Sequence, residues 1–380
     1  MRAPAILLFA ALLPAAAHAA KLVTVDQIQQ ILAASHGRSD VQLADEISSL
    51  EATERIDTPT LLRWQAAAPG DRSRDALLLL ADSSAFLPLP PSEILAQPAP
   101  DGAALSQIVM RTIDYLGKAL PNLPNFMAVR NITQFEDSPL REQMDISASR
   151  DAHQHVHSID AADLVVGKPY FLPLYQSGRK TMQVTYRGGH EIQVNLAKND
   201  VDAGLRSRGE FGPVLAVVIG DSLHQKLFWD HWEQGAAGPL AVFRYMVAAG
   251  ASHYTVEYPS DSGVRRFVPP YRGEFTVDPA TGAVLRLTLI AEMPPPYEHV
   301  QSALVVEYGP VVLGDRTYIC PLRSVNLARE PLAGESEASA PTLRTFLNDV
   351  SFTDYHLFRA EARIVGSAHV TGGEPPPQPH

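Results

Sequence analysis

Three histidines spaced two residues apart are the first candidates for chemistry in this sequence. His153, His155 and His157 lie in the stretch DAHQHVHSID, and on a β-strand side chains two residues apart project from the same face. Neutral imidazoles that converge are a typical ligand set for zinc or copper. Same-face neighbours on one strand are about 6.6 Å apart, however, which is far for three ligands of one ion. The polar flanks favour an exposed loop, so these histidines are candidate ligands and no metal site is predicted.

A serine after an apolar run is the second candidate. The stretch VLAVVIGDSLH, residues 214–224, contains Ser222, and its Gly-Asp-Ser-Leu string resembles the nucleophile block of the GDSL esterases. That resemblance implies a Ser222 nucleophile with an oxyanion hole and a downstream Asp-x-x-His base. The chain lacks this base, because Asp354 and His356 are separated by one residue only. Since Gly212-Pro213 can begin a helix, a buried helix or strand end is favoured over the esterase.

The string FWDHW is an aromatic cluster that a strand would divide between two faces. Alternation along a strand predicts Phe228 and Trp232 on one face and Trp229 on the other. Aromatic surface on both faces is typical of a sheet covered on both sides. Packing in the protein core is the favoured interpretation, and a face that contacts a ligand is the alternative.

Composition limits the classes of function. Of the 380 residues, 46% are apolar, which is enough for a substantial core. The chain has 31 basic and 42 acidic residues, for a net charge of −11, and this argues against nucleic-acid binding, which needs a basic surface. The single cysteine, Cys320, excludes an intrachain disulfide and a cysteine-based zinc site. It stands between Ile319 and Pro321 and is predicted to be a buried apolar thiol.

The first twenty residues have the pattern of a secretory signal peptide. Arg2 supplies the positive charge, an apolar stretch follows, and Ala17-His18-Ala19 fits an A-x-A cleavage site. The apolar stretch is too short to span about 30 Å of hydrocarbon. We therefore predict a signal peptide at residues 1–19 and a secreted mature chain, periplasmic or extracellular, without a transmembrane segment.

The elements that would position these residues change in type along the chain. Apolar residues recur at the helical period in four segments, which predict a helical module at residues 20–90. Residues 91–124 are predicted to be a proline-rich linker and a connecting helix that begins near Asp101. Period-two patterns with short connections predict an antiparallel β domain at residues 125–365. The proline-rich tail at 366–380 is predicted to be disordered.

One connection in the β domain carries a clear turn signal. In Asp278-Pro279-Ala280-Thr281-Gly282 the aspartate can accept a local hydrogen bond, the proline presets its φ, and the glycine suits a left-handed conformation. The predicted fold class is α+β, with a short-helix N-terminal module followed by a large, curved, half-barrel-like antiparallel sheet.

Parts of the chain resemble known families. Val242–Leu287 resembles the strand-turn-strand core of the periplasmic lipoprotein-carrier superfamily, and Glu307–Ser324 fits the next hairpin of that fold. This resemblance implies a half-barrel around a helical plug, with acyl chains held on its concave face. The whole chain also resembles an uncharacterised family of secreted bacterial proteins, which shares the LPNF segment (Leu123–Phe126) and the stretch Trp232–Tyr245. That second resemblance implies no activity.

These features predict an exported, non-catalytic protein without a cofactor. The favoured function is the binding of a lipid, an acyl chain or a hydrophobic partner on the concave face of the sheet. The alternative is a structural or interaction protein of the cell envelope whose helical module docks a partner protein. An esterase that uses Ser222 is the second alternative, and nucleic acid is not expected as a partner.

Overall fold

The computed structural model of the protein describes residues 21–35, 37–136, 174–193, 209–260, 263–298, 300–331 and 343–358. Its α-helices are α1 (Val25–Ala34), α2 (Asp40–Ser48), α3 (Thr58–Ala67), α4 (Asp71–Ser83), α5 (Gly102–Ala119) and α6 (Pro213–Leu223). Its strands are β1 (Lys21–Val23), β2 (Leu50–Ala52), β3 (Ile94–Leu95), β4 (Phe126–Glu136), β5 (Tyr175–Arg187), β6 (His190–Gln193), β7 (Lys226–Gly235), β8 (Gly238–Val247), β9 (Val256–Ser260), β10 (Gly263–Phe267), β11 (Tyr271–Val277), β12 (Val284–Ala291), β13 (Gln301–Leu313), β14 (Arg316–Pro331) and β15 (Leu343–Leu357). Within the described ranges, every helix is too short or too polar to cross a membrane.

Eleven strands form one antiparallel sheet, in the order β3-β7-β8-β11-β12-β13-β14-β15-β4-β5-β6. The sheet is open and is not strongly curled. Two small additions flank it: β1 pairs in parallel with β2, and β9 with β10 forms an antiparallel hairpin. The α+β class is thereby confirmed, with N-terminal helices and a large antiparallel sheet.

Side-chain caps explain where the first two helices begin. Thr24 and Ser39 each accept a hydrogen bond from the backbone N–H three residues later, and the Gln27 and Gln42 side chains reach back to the N–H of the cap residue. These reciprocal capping boxes satisfy backbone donors that a helix leaves unpaired at its start. The helical module also has a core of its own, which includes Ile28, Ile47, Leu61, Trp64 and Leu77.

The large sheet buries side chains on both of its faces. In β13, Leu304 and Val306 project towards α5 and α6, and this side is called the α5/α6 face below. Val305 projects the other way and packs with Ala85 and Phe86, which follow α4. This side is called the module face. Alternate residues of one strand therefore belong to two different cores.

The proline-rich segment that was predicted as a linker is packed against the protein. Leu87 and Leu89 are buried, and Ile94–Leu95 pairs with β7 as the edge strand β3. Further along, the Trp232 indole N–H donates to the carbonyl of Pro98 at 3.0 Å. Proline prevents an α-helix here but is compatible with an edge strand. The abundance of proline therefore does not distinguish a free linker from a segment that packs on the sheet.

The turn between β11 and β12 has the predicted chemistry. Asp278 accepts a hydrogen bond from the backbone N–H of Ala280 at 2.9 Å, and Gly282 has a φ of 79°, in the left-handed region that favours glycine. A Cβ on Gly282 would also lie 2.4 Å from the carbonyl carbon of Arg111 in α5. Glycine therefore serves both the turn and the close approach of α5 to the sheet.

A β-bulge changes the faces on which the aromatic residues of β7 lie. The register of β7 against β8 shifts between Trp229 and His231, because an extra residue opposes one on the partner strand. The predicted division of Trp229 and Trp232 between two faces is therefore wrong. Their ring centroids are 4.9 Å apart, and both rings pack against the core of the α5/α6 face. Phe228 is 49% exposed.

Candidate functional site

Ser222, the candidate nucleophile of the sequence, lies in the last turn of α6. The apolar run before it folds as a helix with Pro213 at its start, as a proline in the first turn allows. The Ser222 side chain is fully buried, and its Oγ donates to the carbonyl of Ile219 at 3.1 Å. A nucleophile must reach both a substrate and a base. The buried Ser222 hydroxyl, which is bonded within its own helix, is accessible to neither.

The neighbouring Asp221 organises the polar contacts at the end of α6. Its carboxylate accepts hydrogen bonds from the backbone N–H of His253 at 2.9 Å and from the Tyr271 hydroxyl at 2.8 Å. Nδ1 of His253 lies 2.6 Å from the same carboxylate. Burial and the bond to Asp221 raise the pKa of Tyr271. The Gly-Asp-Ser-Leu string therefore supplies an aspartate that connects α6 to β11 and to the loop after β8.

The three candidate metal ligands, His153, His155 and His157, lie outside the described residues. In the part of the chain that the structure describes, no three histidine, cysteine or acidic side chains are grouped so that they could hold a metal ion. The candidacy of the three histidines stays a prediction.

An apolar cavity lies beneath α5 on the α5/α6 face, and we call it the α5 cavity. Its volume is about 190 Å³. The second half of α5, the segment that begins α6 and strands β13 and β14 contribute most of its walls. The residues that line it are Tyr115, Leu116, Ala119, Leu120, Leu123, Phe126, Phe211, Gly212, Leu215, Val284, Tyr308, Thr317, Tyr318, Ile319, Cys320 and Pro321.

Packed aromatic rings and a close helix contact fix the walls of the α5 cavity. Phe126 is fully buried and lies with its ring centroid 5.0 Å from Tyr186 and 5.4 Å from Phe211. Gly212, before α6, has a φ of 148°, and a Cβ there would lie 3.1 Å from Leu120 at the end of α5. The two helices therefore converge at the cavity, and core packing sets its shape.

Several polar groups stand in the wall of the α5 cavity, among them the Cys320 thiol and the Tyr308 hydroxyl. Burial raises the pKa of the Cys320 thiol to about 12, so the group stays protonated and reacts only slowly at neutral pH. The Tyr308 hydroxyl is buried and has no hydrogen-bond partner among the described residues. Burial raises its pKa as well, which keeps the phenol neutral. A buried hydroxyl without a partner costs about 1–3 kcal/mol, so an acceptor atom next to it would be stabilising.

A more open cleft adjoins the cavity beside α5, and we call it the α5 cleft. Its volume is about 350 Å³, and it is lined by Arg111, Asp114, Tyr115, Lys118, Ala119 and Thr281. Tyr115 and Ala119 also line the α5 cavity, so the two spaces share part of their walls. The cavity is lined mainly by apolar surface, and the cleft carries the charged side chains of Arg111, Asp114 and Lys118. The volume and lining of the cavity are sufficient to accommodate a small apolar molecule.

A buried ionic network joins the helical module to the module face of the sheet. Arg323 of β14 forms ion pairs with Asp82 at the end of α4 and with Asp349 of β15. Burial, together with the charge of Asp349, raises the pKa of Asp82 well above its usual range. Burial also raises the pKa of Asp349. The cavity beside Arg323 has a volume of about 10 Å³, which is about the size of one water molecule and excludes an organic ligand.

A second ion pair lies at the same junction, near the edge of the sheet. Arg55, which follows β2, and Glu233 of β7 are both largely buried and 3.1 Å apart. Burial and the nearby charge of Asp57 raise the pKa of Glu93 to about 7, against the opposing effect of Arg55. Glu93 therefore changes its charge near neutral pH where the helical module meets the sheet.

The amino-acid sequence predicts the elements around the α5 cavity but not the cavity itself. The available signals were small residues at interior positions, Ala119 on α5 and Gly212 before α6. Small residues also occur where elements pack closely without a void. Only the three-dimensional packing therefore distinguishes a cavity from a tight contact.

Comparisons with known proteins assign no family to this chain. No protein-family model, curated protein or solved structure matches it. The resemblances to the periplasmic lipoprotein carriers and to secreted bacterial proteins therefore stay predictions, and the geometry of the site carries the functional argument.

Proposed function

We propose that this protein is an exported, non-catalytic binding protein that holds an apolar small molecule or a short acyl segment in the α5 cavity. The observation that carries the proposal is a preformed cavity of about 190 Å³ with a largely apolar lining. Preformed, mostly apolar pockets with a few polar groups are the usual sites for small ligands. Because the walls belong to packed cores, little ordering of the protein accompanies binding, which favours affinity.

The size of the cavity limits the ligand. A dry apolar cavity of about 150 Å³ is enough for one benzene ring. A volume of about 190 Å³ therefore fits a single ring system or a short stretch of alkyl chain, and a diacyl lipid is too large to be enclosed. The adjoining cleft of about 350 Å³ can receive the rest of a longer molecule.

The single cysteine allows a direct test of where a ligand binds. Cys320 lines the α5 cavity and is the only thiol in the chain, so its reaction with Ellman's reagent reports on access to this cavity. We expect slow labelling in the folded protein and still slower labelling when naphthalene or decanol is added. Binding measured by calorimetry without any change in Cys320 labelling would place the ligand elsewhere.

A substitution that fills the α5 cavity tests the same site by mutation. Ala119→Phe places a ring between the α5 cavity and the α5 cleft and is expected to abolish binding of both probes. Ala103→Phe makes the same substitution at an exposed position in the first turn of the same helix, and it should leave binding unchanged. Equal binding by the two variants would exclude the α5 cavity as the site.

The non-catalytic part of the proposal has its own test. Ester substrates such as p-nitrophenyl acetate should not be hydrolysed above the background rate, because Ser222 is buried and bonded within its helix. Hydrolysis that disappears in Ser222→Ala and persists in Ser106→Ala, an exposed serine of α5, would establish an esterase instead.

Export is proposed from the pattern of residues 1–19. Expression of the full chain in a bacterial host, followed by N-terminal sequencing of the protein from the periplasm and the medium, should find a chain that begins at Ala20. An intact N-terminus on protein that stays in the cytoplasm would contradict the proposal of export and leave the proposal of binding unaffected.

A further inference from the structure

We propose that the ligand is a single-chain amphiphile with an anionic headgroup, with its tail in the α5 cavity and its headgroup in the α5 cleft near Arg111 and Lys118. The inference rests on the proposed function, because the headgroup can be positioned only if the cavity holds the tail. It adds the chemical class of the ligand.

The two spaces are arranged for a molecule with two different ends. Tyr115 and Ala119 line both the cavity and the cleft, so the two spaces meet at these side chains, and the proposed ligand passes between them. The walls change in character along this path, from the buried Leu116 to the exposed Arg111 and Lys118. An apolar chain with a polar end matches this order, whereas a wholly apolar molecule would form no favourable contacts with the charged side chains of the cleft.

The charges of the cleft favour an anion. Arg111 and Lys118 supply two positive charges against the single negative charge of Asp114, in a chain whose net charge is −11. The positive balance of this cleft is thus opposite in sign to that of the whole protein. Arg111 also lies about two turns before the end of α5, away from the negative end of the helix dipole.

Both cations are able to contact a headgroup. Lys118 pairs with Asp114 at 2.6 Å, but the two side chains are 72% and 64% exposed, and an exposed pair of this kind is weak. Lys118 can therefore turn towards a ligand at small cost. Arg111 donates from Nη1 to the carbonyl of Pro279 at 2.9 Å, which positions the guanidinium beside the turn that contains Thr281. A guanidinium has five N–H donors, so this bond leaves donors for an anion.

Three amphiphiles with different headgroups test the inference on the purified protein. Decanoate has one alkyl carbon fewer than the other two, and its affinity is corrected for this methylene, about fourfold. Decanoate is anionic, decanol is neutral and decyltrimethylammonium is cationic. Binding is measured by calorimetry below the micelle concentration and by protection of Cys320 from Ellman's reagent, and loss of both in Ala119→Phe but not in Ala103→Phe confirms the site. Decanoate is expected to bind about two- to fivefold more tightly than decanol, the range for one weak exposed ion pair, and decyltrimethylammonium more weakly than either.

Changes in salt concentration and charge variants distinguish the contribution of the headgroup to affinity from that of the tail. Raising the ionic strength from about 0.01 M to about 1 M shortens the screening length from about 30 Å to about 3 Å, so the ratio of decanoate to decanol affinity should approach one. Lys118→Gln should reduce this ratio without changing decanol binding, and Asp114→Asn should increase it. Lys21→Gln removes an exposed lysine of the helical module and is the control for net charge.

Each outcome has a separate meaning. If decanoate and decanol both protect Cys320 and bind with equal affinity, the inference of an anionic headgroup is overturned, and the proposed function still holds. Tighter binding of decyltrimethylammonium would overturn it too. Failure of all three compounds to bind or to protect Cys320 would overturn the proposed function itself. An equal effect of Lys118→Gln and Lys21→Gln would show that net charge, and no contact in the cleft, causes the preference.

Discussion

Replacing Arg323 should strongly weaken the attachment of the helical module to the sheet. Arg323 is largely buried and pairs with Asp82, which is fully buried, and with Asp349. Removing one partner of a buried ion pair typically costs about 3–5 kcal/mol, because the remaining charge, here on the Asp349 carboxylate, is left without compensation. We therefore expect Arg323→Met, which keeps a similar length, to lower the free energy of unfolding by about 3–5 kcal/mol at neutral pH.

Asp82→Asn should behave differently from Arg323→Met. Burial already favours the neutral form of Asp82, since it raises the pKa of this carboxyl well above 3.8. An amide of the same shape keeps a hydrogen-bonding group at this position and removes one of the two carboxylates next to Arg323. We expect a loss of at most about 1 kcal/mol, the usual contribution of one hydrogen bond.

The same substitution should also change the pH dependence of stability. Because the pKa of Asp82 is higher in the folded state than its unfolded value of 3.8, the folded protein binds more protons between these two values. The stabilising contribution is fully present below the unfolded pKa and is lost as the pH rises through the folded pKa. Asp349 has a shift of the same sign. Asp82→Asn removes the first contribution, so its stability should fall less steeply as the pH rises above about 4.

Urea unfolding followed by tryptophan fluorescence and circular dichroism measures these effects. Trp64 lies in the helical module, and Trp229 and Trp232 lie on the sheet, so the fluorescence reports on both parts. Arg266→Met is the control, because Arg266 is 71% exposed in its pair with Glu257. A loss below about 1 kcal/mol for Arg323→Met, far under the range for breaking a buried pair, would refute the reasoning. An unchanged pH dependence in Asp82→Asn would refute it as well.

Three further predictions concern single residues. Tyr308→Phe removes a buried hydroxyl without a partner among the described residues, so we expect it to raise the free energy of unfolding by about 1 kcal/mol; a loss of stability in urea unfolding would reveal a partner for this hydroxyl. Gly282→Ala should destabilise the protein by clearly more than Gly37→Ala, since both glycines have a positive φ but only Gly282 also contacts the backbone of Arg111; equal melting temperatures would contradict this. Glu93→Gln should flatten the decline of stability between about pH 4.5 and pH 7, because the pKa of Glu93 is raised from 4.5 to about 7 in the folded protein; thermal melts across this pH range that show an unchanged decline would contradict this.

Much of the fold follows from local sequence signals. The helices of the module begin at Thr24 and Ser39, where capping residues satisfy free backbone donors. The turn at Asp278–Gly282 has the hydrogen bond and the left-handed glycine that its residues predict. Such signals act over a few residues and do not depend on the rest of the chain. The α+β class and the antiparallel connections follow from them.

Other features depend on contacts between distant residues and could not be predicted. The bulge after Trp229 brings both tryptophans of β7 onto one face, because pairing with β8 decides where an extra residue is accommodated. The proline-rich segment became an edge strand because β7 offers it hydrogen bonds. The Gly-Asp-Ser-Leu string forms a helix end, and Ser222 is buried there by the packing of α6 on the sheet.

The class of fold, the order of the helical and β parts, the acidic charge and the expected burial of the single thiol follow from the amino-acid sequence. The tertiary structure alone decided the candidate site. The α5 cavity lies between α5, α6 and strands β13 and β14, which are far apart in the sequence. A void arises where side chains from such elements fail to fill the space between them, and this depends on the shapes of all of them together. The local pattern of apolar and polar residues therefore cannot predict where such a void forms.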